Sequence, residues 1–160
     1  LFWAVAQTHP NAAGIACVNL KRQGFTHYNP LMKERIKGRA TFRSVQLFSN
    51  YVFVAIENQW RAVRSTKGIL DLLMLEPEKP ACVSEDYITG LRAREDKDGL
   101  IVLGQSKFKH GSKVQVKAGP FAFQNGLFDG VSSHDRVFIL LSMLGTQRRV
   151  ELSEDNLVAV

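Results

Sequence analysis

The stretch VQLFSNYVFVAI, Val45 to Ile56, decides how the rest of the chain is read. Apolar residues open it, the polar pair Ser49 and Asn50 interrupts it, and Tyr51 to Ile56 is apolar or aromatic throughout. A run rich in β-branched and aromatic side chains, preceded by a turn-like pair, predicts a buried central strand. Its neighbours follow on both sides. Upstream, Phe2 to Ala6 is a short apolar strand closed by Gln7, Thr8, His9 and Pro10. Asn11 is placed to cap a helix in which Ala13, Ala16, Cys17 and Leu20 recur every three or four residues, and Gly24 follows its basic last turn, Lys21 and Arg22. Phe25, His27 and Tyr28 then lead into Pro30 as a second extended segment. Lys33, Arg35, Lys37, Arg39 and Arg43 surround Gly38, and their alternation with Ile36 and Ala40 predicts a hairpin with an exposed basic tip.

Downstream, Glu57 to Arg64 reads as a short helix carrying Trp60 and Val63, and Gly68 introduces the strand ILDLLML. Ser84 is placed to cap a further helix, with Glu85 and Asp86 in its first turn and Tyr87, Ile88 and Leu91 on one face. The order strand, helix, two strands, helix, strand, helix is the split βαβ arrangement of ferredoxin-like domains with one helix added. Arg94 to Lys107 mixes charges of both signs and is expected to be a linker, with Leu100 to Leu103 packing back on the first domain. From Phe108 the period becomes that of strands. Val114 and Val116 alternate with Lys113, Gln115 and Lys117, and turns are expected at Gly119-Pro120, Asn125-Gly126 and Gly145. Val137 to Leu141 reads as a buried strand, followed by strands at Val150 to Leu152 and Leu157 to Val160. The expected fold class is therefore α+β: a ferredoxin-like domain over residues 1–93, a linker over 94–107 and a small β-barrel over 108–160.

The 160 residues are 45% hydrophobic, ordinary for globular protein. The longest apolar runs fall well short of the roughly 20 residues a membrane-spanning helix needs. With nothing resembling a secretory signal, a soluble cytoplasmic protein is expected. The chain begins at Leu1 and not at a methionine, so a few native residues are expected before it. Cys17 and Cys82 lack metal-ligand spacing and are expected to be reduced, buried thiols. The net charge of +6 is concentrated early: residues 1–92 hold 12 Lys/Arg against 7 Asp/Glu, whereas residues 108–160 hold 6 against 5. That favours contact of the first part with an acidic surface or with nucleic-acid phosphates. His9, His27, His110 and His134 lie in unrelated turns and strand ends, without paired carboxylates or a nucleophile elbow, and no glycine loop opens a helix. Neither catalysis, a cofactor nor a metal is expected.

Several segments resemble the NusG family of transcription elongation factors. LFSNYVFV at Leu47 to Val54 resembles that family's LFPGYVFV-type strand, GSKVQVKAGPFAFQNG at Gly111 to Gly126 resembles a KOW motif, and SMLGTQRRVEL at Ser142 to Leu152 resembles the closing hairpin of the family's C-terminal barrel. The Trp3 strand, the LKRQGF helix end at Leu20 to Phe25 and the RSTKGI turn at Arg64 to Ile69 occur in the matching order. The resemblance implies a NusG N-terminal (NGN) domain followed by an SH3-like KOW barrel, without catalysis. It further implies a monomer whose first domain binds the β′ clamp helices of RNA polymerase and suppresses pausing. The barrel would recruit Rho or a small-subunit ribosomal protein, a tethered arrangement that raises effective concentration.

By position, the resemblance assigns Trp3, Phe48, Tyr51 and Phe53 to the polymerase-facing pocket, and Phe121, Phe123, Gln124, Met143 and Leu144 to the partner-binding side of the barrel. For these aromatics the competing expectation is ordinary core, which weighs most for Phe53 inside the strand. Lys33, Arg35, Lys37, Arg39 and Arg43 form the candidate nucleic-acid surface, reaching DNA of the transcription bubble, against the alternative of a merely solvated tip. Two departures matter. Gln46 and Ser49 stand where the family has prolines and Asn50 where it has glycine, so a differently shaped bend is expected. In the barrel, the family's GPFADFNG appears as GPFAFQNG, which puts Gln124 at the usual aromatic contact and displaces Phe123 by one residue. A one-residue shift along a strand changes the face a ring occupies. These departures incline the reading toward a specialised paralogue, an antiterminator of the RfaH kind. Some such paralogues change the fold of their second domain, but the β patterning here predicts a barrel. The alternatives are a general NusG that aids Rho termination and a free-standing RNA- or ribosome-binding KOW protein.

Overall fold

The computed structural model describes residues 2–36, 38–102, 114–115, 133–144 and 158–159, and the side chains of Arg35, Val114, Gln115, Ser133, Met143, Val158 and Ala159 lie outside that description. The central strand is where the apolar run places it: β5, Tyr51–Ile56, pairs antiparallel with β1, Phe2–Thr8, from Phe2 opposite Ile56 to Gln7 opposite Tyr51. β2, His27–Tyr28, adds to the far side of β5, and β6, Ile69–Leu72, to the far side of β1, which also pairs with β9, Cys82–Val83. Successive side chains of a strand point to opposite faces. Trp3, Val5 and Phe53 therefore join one core, and Ala4, Ala6, Val52, Val54 and Ile56 the other.

The second core is closed by two helices. In α1, Ala13–Arg22, Ala16 and Leu20 are buried, and in α2, Trp60–Arg64, Trp60 and Val63 are buried. Asn11 does not cap α1: it adopts a left-handed conformation with φ 59°, and Ala12 stands at the cap without a side-chain bond. A short amide side chain tolerates that conformation, so the turn after Pro10 takes the residue that the cap was expected to use. Where β6 begins, the chain passes very close to α1. A Cβ at Gly68, whose φ is 95°, would lie 2.8 Å from the Ala16 backbone nitrogen. Both the dihedral and the contact exclude a side chain. Gly68→Ala is expected to cost about 1–3 kcal/mol in urea unfolding, and an unchanged midpoint would contradict this packing.

The first core is closed by α3, Glu85–Arg92, which buries Tyr87, Ile88 and Leu91. Its cap is the expected one: Ser84 Oγ accepts the Tyr87 N–H at 3.2 Å. The basic segment is a hairpin of β3, Leu31–Arg35, and β4, Phe42–Gln46, turning through Gly38 with φ 76°. β10, Leu100–Ile101, runs parallel to β3, so these residues of the expected linker do fold back on the first domain. The expected strand ILDLLML is divided: β6 ends at Leu72, and Met74–Glu76 and Lys79–Pro80, β7 and β8, form a separate small hairpin.

The C-terminal part departs from expectation. Val137 to Leu141 is not a strand but the middle of helix α4, Ser133–Met143. Leu140 is fully buried and Ile139 nearly so in the first core, with Val137 and Leu144 packed against it. Ser142, expected to open the closing hairpin, lies in the same helix. A short apolar run cannot be assigned to helix or strand by period alone, and an apolar sheet face that needs covering overrides β propensity. Val114–Gln115 and Val158–Ala159, β11 and β12, pair as two-residue strands, and no closed barrel is present among the described residues. No helix among them is long and apolar enough to cross a membrane.

Candidate functional site

The bend before β5 is shaped by Asn50, whose φ of 66° lies in the left-handed region. Gln46 braces it. Its Oε1 accepts the Asn50 N–H at 3.1 Å, and its Nε2 donates to the Tyr51 carbonyl at 3.2 Å and to Asn29 Oδ1 at 2.9 Å. The glutamine that departs from the family pattern is thus the residue that holds the bend. Its polarity inside an apolar stretch was the only signal of that role.

Beyond the bend, the aromatic residues of the first core converge. Phe53 meets Phe48 edge-on at 5.7 Å and Tyr87 edge-on at 6.2 Å, and stacks with Tyr28 at 6.5 Å. Phe48 and Phe53 are fully buried, and Tyr51 is half-buried at the margin, where burial pushes its hydroxyl pKa upward. Trp3 is 2% exposed and lies under α3, its Nε1–H donating to Glu85 Oε2 at 2.6 Å. The Arg92 guanidinium lies over both Trp3, at 5.3 Å, and Tyr28, at 4.9 Å. Tyr28 in turn donates to Glu95 Oε1 at 2.6 Å, and burial followed by that bond raises its pKa far above the usual phenol. Phe48, Tyr51 and Phe53 are therefore brought together on one face, while Trp3 is fastened to the helix on its flank.

That aromatic face is closed by α4. Spaced four apart on one side of the helix, Arg136, Leu140 and Leu144 turn toward the sheet, with Val137 and Ile139 flanking them. Arg136 is only 4% exposed, and its Nε–H donates to the Leu47 carbonyl at 2.7 Å. Burial lowers the guanidinium pKa, an effect that Glu34 and Asp135 oppose. An arginine remains protonated under such a shift, so a full charge is held beneath the helix. Sequence reasoning missed Arg136. The available signal was a basic residue leading an apolar run with leucines four and eight positions later.

On the hairpin, Lys33, Arg39 and Arg43 are exposed. Arg43 pairs with Glu34 through Nη2 at 2.7 Å and Nε at 2.9 Å, an exposed pair of small energetic value. Lys37 lies outside the described residues, and only the backbone of Arg35 is within them. A cleft of about 300 Å³ between hairpin and helix is lined by Glu34, Arg43, Val45, Gln46, Ser49 and Arg136. Phe121, Phe123 and Gln124 lie outside the described residues; Met143 ends α4, and Leu144 packs against the first core. Among the described residues no three His, Cys, Asp or Glu side chains are placed to hold a metal ion. Aromatic side chains gathered in an apolar setting are chemically suited to binding an apolar partner surface.

Residues 1–92 match the family model described as "Transcription termination factor nusG". The transcription termination/antitermination protein NusG of Haemophilus influenzae is 27% identical over 123 residues, covering 74% of this chain and 66% of that protein. NusG of Escherichia coli is 27% identical over 111 residues, covering 67% of this chain and 61% of its own length. A solved structure of Thermotoga maritima NusG aligns at 20% identity and a TM-score of 0.42, covering 75% of this chain and 74% of that one. The chain spans about two thirds or less of the length of these curated relatives.

Proposed function

The chain belongs to the NusG family of transcription factors, and from that premise we propose that it is a non-catalytic elongation and antitermination factor whose aromatic face docks on the β′ clamp helices of RNA polymerase. The observation that carries this reading is the occupant of the face. Phe48, Tyr51 and Phe53 wall a surface that here receives a helix, α4, so its shape suits a helical partner. Aromatic anchors in an apolar setting are what a binding hot spot requires.

Docking on polymerase requires α4 to leave. A face closed by the chain's own helix supports a specialised, regulated paralogue over a general NusG. Lys33, Arg35, Lys37, Arg39 and Arg43 are the proposed contact to DNA phosphates of the transcription bubble, with Arg43 partly neutralised by Glu34. A Rho or ribosomal-protein contact through Phe121, Phe123, Gln124, Met143 and Leu144 belongs to the same proposal. It requires residues 108–160 to function as a separate module once α4 is released.

The test is transcription in vitro by purified bacterial RNA polymerase through a pause site and a Rho-dependent terminator. Less pausing and more readthrough, without help to Rho, is the expected result; enhanced termination would mark a general NusG, and no effect would end the polymerase reading. Tyr51→Ala is expected to weaken polymerase binding by about tenfold or more while costing less than about 2 kcal/mol of stability. Equal losses of both would return Tyr51 to the core.

A further inference from the structure

We infer that the buried carbonyl of Leu47 is a recognition point for a cationic side-chain donor, filled here by Arg136 of α4 and, in a docking partner, by an arginine or lysine held on a helix at the same place. The site is built by a proline. Leu31 lies opposite Gln46 in the β3-β4 ladder, which places Pro30 opposite Leu47. Leu47 N–H donates to the Pro30 carbonyl at 2.8 Å, so the two residues form a pair of the kind that exchanges both bonds. Proline has no N–H to return. The ladder therefore leaves the Leu47 carbonyl without a strand donor, at a residue that is fully buried and faces a buried Pro30.

A buried carbonyl so placed must find its donor on another element. Arg136 Nε–H supplies it at 2.7 Å, from a side chain that is itself 4% exposed. A charged donor makes the stronger bond to a carbonyl. Glu34, although shared with Arg43, favours the charged form of Arg136, as does Asp135. The helix also sets a register. Arg136 precedes Leu140 and Leu144 by four and eight positions, and Leu144 N–H donates to the Leu140 carbonyl, so the donor and both leucines share one side. A helix that takes the place of α4 leaves the Leu47 carbonyl unpaired unless it brings a cationic residue with apolar residues four and eight positions away. Because an unpaired buried acceptor costs more than a satisfied one returns, a purely apolar helix is selected against. This specification of the partner rests on the polymerase reading; the carbonyl site does not.

Amide exchange in the full chain tests the site without polymerase. Arg136→Met is expected to accelerate exchange across residues 137–144 about tenfold in the chain that has Pro30, as loss of a donor to a buried carbonyl requires. With Pro30→Ala, which returns the missing N–H to the ladder, the same substitution is expected to accelerate it by less than about threefold. Equal acceleration in the two backgrounds would overturn the inference. For the partner helix, the probe is a peptide with the sequence of residues 133–144, carrying arginine or methionine at position 136. Each is titrated into the full chain bearing Arg136→Met, where competition from the chain's own helix is common to both and cancels in their ratio. The arginine peptide is expected to bind about tenfold tighter, and Pro30→Ala to cut that ratio to about threefold or less. Equal affinities of the two peptides would overturn the inference, and this comparison decides it where Pro30→Ala does not fold. A chain that gives both expected results yet does not bind polymerase keeps the carbonyl site and loses the polymerase partner.

Discussion

Phe53→Ala is expected to lower the unfolding free energy by about 3–5 kcal/mol. Phe53 is fully buried in the strand at the centre of the sheet and contacts rings from three other segments: Tyr28 beside it, Phe48 before the bend and Tyr87 from α3. Its removal opens a cavity beneath α3, and close-packed neighbours collapse only partly into such a space. Urea unfolding followed by near-ultraviolet circular dichroism measures the loss. A cost below about 1 kcal/mol would mean that the ring is not the hub of this core. Because Phe53→Ala would remove stability and the proposed binding surface together, it cannot separate the two roles. Tyr51, half-buried at the margin, is the residue that can.

Arg136→Ala is expected to release α4. The substitution removes the donor to the buried Leu47 carbonyl and leaves a gap at the foot of the helix, together worth about 1–3 kcal/mol. An eleven-residue helix without its packing face is marginal in water, so undocking and unfolding of α4 coincide. Amide exchange across Arg136 to Leu144 should therefore accelerate by roughly tenfold for each 1.4 kcal/mol lost, while amides of β1 and β5 keep their protection. Polymerase binding should rise in parallel. Arg136→Lys retains the charge but replaces the guanidinium fork with a compact ammonium, and is expected to restore docking only in part. Unchanged exchange in α4 would mean that apolar packing by Leu140 and Leu144 holds the helix by itself.

The first domain was legible because its local signals agree with its tertiary structure. Tyr51 to Ile56 reads as a buried strand and is one; Ser84 caps α3; the basic hairpin turns at Gly38. Of the site, the aromatic positions were legible, since alternation along β5 places Tyr51 and Phe53 on one face. What closes that face was not. Gln46 reads in sequence only as a residue standing where the family has proline, while in the fold its amide bonds Asn50 and Tyr51, and Arg136 precedes a run that reads as a strand and folds as a helix.

The sequence by itself determined the central strand, the three helices of residues 1–92, the family and the charge of the hairpin, because each depends on neighbours a few residues apart. The division of ILDLLML and the short strands at Lys79–Pro80 and Cys82–Val83 were not legible. Tertiary structure alone decided three matters. Asn11 occupies a left-handed turn because the chain must reverse after β1, although its side chain suits a cap equally well. Trp3 points under α3 because Glu85 meets its indole nitrogen from a distant segment. Val137 to Leu141 is helical because an uncovered aromatic face lies within reach and a helix seats four apolar side chains and one arginine on it. In each case the local sequence permits two conformations of similar energy, and contacts from far along the chain select between them.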